Sequence, residues 1–126
     1  MTPGNELAGK VAMVTGGSGA IGGAICEKLG EAGAVAVSLD LVAPARRSIP
    51  FVSCDVRDDA SVSAAVEKVY REYGNLHLVI HSAGVSRDAV VWKLTPNDWD
   101  LVQSVNFGGA FLMLRHTAPA MRAAGG

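Results

Sequence analysis

The residues with the clearest chemistry lie in one run, Thr15-Gly-Gly-Ser-Gly-Ala-Ile-Gly22. Glycine permits positive φ in a tight turn, and without a Cβ the backbone can approach a phosphate closely. A helix opening directly behind the turn would aim its free N–H groups and positive dipole end at the same anion. Gly16, Ser18, Gly19, Ile21 and Gly22 are therefore the candidate pyrophosphate contacts. No Gly-Lys-Ser/Thr follows, which excludes a P-loop. About 20 residues further on, where a dinucleotide site needs an acid, stands Asp40. A carboxylate there accepts from both ribose hydroxyls of NAD and repels the 2′-phosphate of NADP. Arg46 and Arg47 follow closely enough to meet such a phosphate if their loop folds back. The residues favour NAD over NADP.

A glycine turn does this work only where a strand delivers it and a helix receives it. Val11–Thr15 is a short apolar run and predicts a buried strand. Residues 20–32 place Ile21, Ala24, Ile25, Leu29 and Ala32 on one helical face, with Gly33 as the stop. Further strands are expected over 34–40, 51–54 and 76–80. Asp58 is expected to cap a helix carrying Val62, Val66, Val69 and Tyr73 on one face, with Gly74-Asn75 ending it. The last helix should open at Thr95, with Pro96 in its first position, and run toward Arg122. Its apolar residues lie almost all round, so burial on more than one side is expected. Asn106 is a poor mid-helix residue, and Gly108 and Gly109 lower helix propensity, which predicts close backbone approach or a local distortion beside Asn106. Strands alternating with helices imply an α/β fold with a parallel sheet covered on both faces.

Composition narrows the class. The 126 residues carry 11 Lys+Arg against 12 Asp+Glu, a net charge of −1 with no basic cluster, which argues against a nucleic-acid partner. Charges or turn residues interrupt every apolar run, so no membrane span is expected. The first ten residues lack a basic start and an apolar stretch, so the expectation is a cytoplasmic protein without a secretory signal. Cys26 and Cys54 read as small buried hydrophobes, and no metal site is expected. His77 and His81 share a strand face without a third ligand. Trp92 and Trp99 are assigned to packing rather than to a substrate platform.

Beyond the glycine run the chain carries Cys54-Asp-Val56, Ser82-Ala-Gly84 and Val105-Asn-Phe-Gly-Gly109. In combination these resemble the short-chain dehydrogenase/reductase family over essentially the whole chain, with 3-oxoacyl-acyl-carrier-protein reductases as the most similar members. The resemblance implies that Asp55 and Val56 border the adenine and that Ala83 and Gly84 line the nicotinamide ribose. Ser82 stands where the family usually has Asn and joins that set. Asn106 would hold a water in a proton relay. Read from the residues alone it could equally be a structural Asn bridging two backbones. Ala20 and the Ile80-His-Ser-Ala-Gly84 run depart toward the family's extended branch, which acts on nucleotide sugars. The helix over 58–73 and the segment 87–100 resemble the single-domain branch, which is the reading adopted.

That resemblance implies a single NAD(P)-binding domain over 1–126, a Rossmann-type doubly wound sheet in strand order 3-2-1-4, ending before a fifth strand. It also implies hydride transfer between nicotinamide and a ketone, secondary alcohol or acyl thioester, in a homo-oligomer at full length. The family's chemistry needs a Ser and a Tyr-x-x-x-Lys pair. The only tyrosines, Tyr70 and Tyr73, lack a Lys four residues on, so these 126 residues alone are expected to be inactive. A non-catalytic dinucleotide-binding module and an extended-branch enzyme are the alternatives.

Overall fold

β1 (Val11–Thr15) is buried along its whole length and forms the middle of the sheet. The computed structural model describes residues 4–125. Met1–Pro3 and Gly126, the ends of the domain expected over 1–126, lie outside the described residues. After β1 come α1 (Ala20–Glu31), β2 (Val35–Asp40), β3 (Phe51–Ser53), α2 (Asp59–Tyr73) and β4 (Leu78–His81). A 3-10 turn at Val91–Lys93 precedes α3 (Pro96–Val102), a π-helical turn at Gln103–Gly108 and α4 (Gly109–Ala123). All pairings are parallel, in the order β3-β2-β1-β4. This is the expected 3-2-1-4 doubly wound sheet, with β4 at one edge.

The pleat divides the core. Val11 and Met13 join Val37, Leu39 and the α2 stripe of Val62, Val66 and Val69, together with Met113 of α4. Ala12 and Val14 face the other way, against Cys26, Ile25 and Leu29 of α1. Alternate side chains of one strand thus serve opposite layers, as a parallel sheet with helices on both faces requires. Both cysteines are buried, and burial pushes their thiols above the ordinary value. No helix among the described residues is long and apolar enough to cross a membrane. Nor do the described residues bring three metal-binding side chains together.

Several local expectations are corrected. Ile21 and Ala24 are exposed, and α1 buries Gly22 and Cys26 instead, because its first turn opens beside a cavity. Asp58 occupies the N-cap of α2 without a side-chain cap bond, whereas the Thr95 hydroxyl does accept the Asp98 N–H at 3.1 Å. The fourth strand starts later than expected and reaches His81. Leu76 is wholly buried in the core, and the ladder pairs Ala12 with Leu78 through Thr15 with His81. His77 therefore precedes the strand, where its Nδ1 accepts the Val11 N–H at 3.0 Å, far along β1 from His81. The last helix is interrupted by the π-helical turn that contains Asn106, as the glycines suggested.

The expected all-round burial of that helix is not found. Its inner stripe is Gly109, Met113 and Thr117, while Phe107, Phe111 and Leu114 are exposed. Trp92 is 80% and Trp99 57% exposed, so neither packs as assigned. One stripe of α4 lies against α2 and β4, and among the described residues nothing covers the other.

Candidate functional site

The C-terminal ends of the strands open into a cavity of about 510 Å3. A volume of this order holds a drug-sized or nucleotide ligand. In a doubly wound sheet, the crevice beyond the strand ends, where the order reverses, is the place for one. Here β1 lies between β2 and β4, and the loops after all three meet at the cavity. Gly16, Gly19, Ile21, Gly22, Asp40, Asp55, Val56, Ser82, Ala83 and Gly84 all line it. Ser18 and Asn106 are not among its lining residues.

Two glycines make the turn possible. Gly16 has φ +66°, and a Cβ there would lie 2.8 Å from the Ala83 Cα. At Gly22 a Cβ would lie 2.0 Å from the Gly16 carbonyl oxygen. The first turn of α1 therefore sits directly against the loop backbone, with helix N–H groups at the cavity. Ser18 donates its N–H to Asp40 Oδ2 at 3.2 Å, and its hydroxyl pairs with Ser38 at 3.0 Å. Its part is to tie the loop to the end of β2. Leu41 N–H reaches Asp40 Oδ1 at 2.7 Å. Each Asp40 oxygen thus has one protein donor and retains a lone pair, on a residue that lines the cavity.

Across the turn, Thr15 was not singled out in the sequence. Its buried hydroxyl oxygen accepts the N–H groups of Ser82 and Ala83, each at 3.1 Å. With both lone pairs used, the hydroxyl donates to His81 Nδ1 at 2.8 Å. His81 then carries its proton on Nε2, which donates to the Asn106 carbonyl at 3.2 Å. The Asn106 side chain accepts the Val85 N–H at 2.8 Å and donates to the Val85 carbonyl at 3.0 Å. That is the backbone-bridging geometry. One amide N–H and one oxygen lone pair remain on this exposed residue for a further partner. Thr15→Val removes the acceptor shared by Ser82 and Ala83 inside the core. We expect a loss of about 2 kcal/mol in urea unfolding; a change within about 0.5 kcal/mol, as at an ordinary surface site, would remove Thr15 from this network.

The charges are few. Asp40, Asp55, Arg57 and Arg87 line the cavity, and sequence reasoning had not marked either arginine there. The Arg57 guanidinium holds the Asp55 carboxyl below its usual range, against the opposing effect of partial burial. Arg87 lies 3.8 Å from Asp98. Arg46 is turned away from the cavity and pairs with Glu27 at 3.1 Å, while Arg47 is exposed and lines no part of it.

The fold and the glycine turn define a Rossmann-type nucleotide-binding architecture. A family model described as short chain dehydrogenase matches residues 10–126, and the chain belongs to that family, whose members bind NAD(P). It is 37% identical to D-threitol dehydrogenase of Mycolicibacterium smegmatis, over 96% of this chain and 51% of that protein. To a 3-oxoacyl-[acyl-carrier-protein] reductase of Thermotoga maritima it is 30% identical, over 92% of this chain and 52% of the relative. The ligand-free structure of Thermoplasma acidophilum aldohexose dehydrogenase superposes with a TM-score of 0.89 at 26% identity, covering 93% of this chain and 46% of that one. The chain spans about half the length of the relatives it matches.

Proposed function

We propose that this chain forms the nucleotide-binding half of an oxidoreductase that takes NAD and moves hydride between it and a ketone or secondary alcohol. The observation that carries the reading is Asp40. It is fixed by Ser18 and Leu41 N–H groups at the cavity wall, with acceptor capacity left on both oxygens. A ribose diol can donate to those oxygens, whereas a 2′-phosphate would meet a like charge. The positions of Arg46 and Arg47 outside the cavity support NAD over NADP.

The residues fit the cofactor because Gly16 and Gly22 leave no room for a Cβ and the α1 N-terminus opens onto the same space. Gly16, Gly19, Ile21 and Gly22 would hold the pyrophosphate, with Ser18 bracing the loop. Asp55 and Val56 would border the adenine, and Ser82, Ala83 and Gly84 the nicotinamide ribose. When bound, the nicotinamide supplies or accepts the hydride. Asn106 would fix the Val85 backbone and hold a water with its remaining amide capacity. A small ketone, alcohol or acyl thioester is the substrate class, and a cytoplasmic homo-oligomer is the form proposed for the whole protein.

Tyr70 and Tyr73 lie on α2, do not line the cavity and lack a Lys partner. The 126-residue chain is therefore expected to bind NAD without turning over alcohols or ketones. Calorimetry with NAD and NADP, paired with an absorbance assay for reduced nicotinamide, tests both halves of this statement. Tighter binding of NADP would overturn the cofactor assignment, and turnover by the chain alone would show that its chemistry needs no Tyr-x-x-x-Lys.

A further inference from the structure

At the end of the cavity assigned to the nicotinamide ribose, one side chain reaches three elements. His81, the last residue of β4, is half-buried, with its ring between Thr15 of β1 and Asn106 of the π-helical turn. Gly109, at the start of α4, leaves the space, because a Cβ there would lie 3.0 Å from the imidazole Cε1. One wall of this end is the Ser82–Val85 turn, and the other carries Leu101 and Val105. A π-helical turn departs from the regular ladder of a helix, so bonds from outside must hold its backbone in place. Asn106 receives three such bonds. Its side chain makes two with the Val85 backbone, at 2.8 and 3.0 Å, and its carbonyl accepts from His81 Nε2 at 3.2 Å.

Only one form of the ring serves both partners. The Thr15 hydroxyl gives its hydrogen to Nδ1, because its own lone pairs hold the Ser82 and Ala83 N–H groups. Nε2 must then carry the hydrogen that the Asn106 carbonyl accepts. With the hydrogen on Nδ1 instead, the ring would face Thr15 donor to donor and turn a bare lone pair toward the carbonyl. Resting on the dinucleotide reading, we propose that His81 is the positioning residue of the nicotinamide end. Thr15 fixes the ring, and the ring ties β4 and the turn that follows it to the segment bearing Val105 and Asn106. The two walls that take the nicotinamide half are thereby held at one spacing. The carboxylates of the other half bond elsewhere, Asp40 to Ser18 and Leu41 and Asp55 to Arg57, so the adenine end should not sense His81.

Two substitutions divide the ring between its partners. Asn places its polar atoms as far along the side chain as Nδ1, and Gln places them as far as Nε2. His81→Asn should therefore keep the bond to Thr15 and lose the one to Asn106, whereas His81→Gln should keep the bond to Asn106. The test is calorimetric titration of wild type and both variants with NAD, AMP and nicotinamide mononucleotide. His81→Asn should weaken NAD and the mononucleotide by about fivefold, the scale of one neutral hydrogen bond, and leave AMP within about twofold. His81→Gln should recover most of that loss. A role in stability alone would move all three ligands together. In wild type, long-range proton–nitrogen NMR spectra of the ring should place its hydrogen on Nε2. Hydrogen on Nδ1, an undiminished mononucleotide affinity in His81→Asn, or equal losses for AMP and the mononucleotide overturns the role of His81 while the dinucleotide reading stands. A wild-type chain that binds none of the three overturns both.

Discussion

Gly22→Ala is expected to cost about 3 kcal/mol or more in stability and to abolish nucleotide binding. The added Cβ would lie 2.0 Å from the Gly16 carbonyl oxygen, 2.6 Å from its carbon and 2.9 Å from the Gly17 Cα. All three are backbone atoms, so no flexible side chain can swing aside. Either the first turn of α1 moves off the sheet or the loop opens, and each route destroys the cradle that would take the pyrophosphate. A control sits on the same helix. A Cβ at Gly30 meets nothing within 4 Å. Gly30→Ala should therefore stabilise the chain by up to about 1 kcal/mol through helix propensity alone, and leave binding intact. Urea unfolding of both variants separates the explanations. Should Gly22→Ala prove as harmless as Gly30→Ala, the close approach of helix and loop is not what specifies glycine at position 22.

The contrast between those glycines shows what can be read from order alone. Chemistry set by local sequence was legible: the apolar run of β1, the valine stripe of α2, the Thr95–Pro96 helix start and the glycine turn between strand and helix. Each depends on neighbours within a turn or two. The Thr15–His81–Asn106 chain was not legible, because its members are 66 and 25 residues apart and meet only through the parallel register of β1 with β4. The start of β4 was misplaced for a related reason. Leu76 is as apolar as a strand residue but spends its side chain in the core before the ladder begins. The Arg57–Asp55 pair is close in sequence, yet whether the guanidinium faces solvent or the carboxylate is a matter of rotamer, on which residue spacing is silent. Apolar pattern also says where burial is wanted rather than what provides it. Phe107, Phe111, Leu114 and Trp92 are exposed although each would suit a core. β4 likewise stands at the sheet edge, and a bare edge beside exposed apolar groups favours association.

Substituting Asp40 should produce the other large effect, and two variants are needed to interpret it. Asp40→Ala removes both the charge and the acceptors for the Ser18 and Leu41 N–H groups, found at 3.2 and 2.7 Å. Losing charged hydrogen bonds to a ribose diol should weaken NAD by about 10- to 100-fold, while NADP gains from the lost repulsion. Part of that loss could arise simply because the Ser18 loop is no longer tied to β2. Asp40→Asn separates the two causes. The amide retains an oxygen acceptor for one of the N–H groups but carries no charge against a 2′-phosphate. It should narrow the preference for NAD over NADP almost as far as Asp40→Ala does, with a smaller loss of NAD affinity. If both variants keep the wild-type ratio of NAD to NADP affinity, Asp40 only holds the loop and the discrimination lies elsewhere. If Asp40→Ala alone changes the ratio, loop position rather than charge decides the cofactor. A change in both, with loop-dependent affinity lost mainly in Asp40→Ala, assigns the two functions to one carboxylate: its charge selects the ribose, and its bonds to Ser18 and Leu41 hold it where that charge can act.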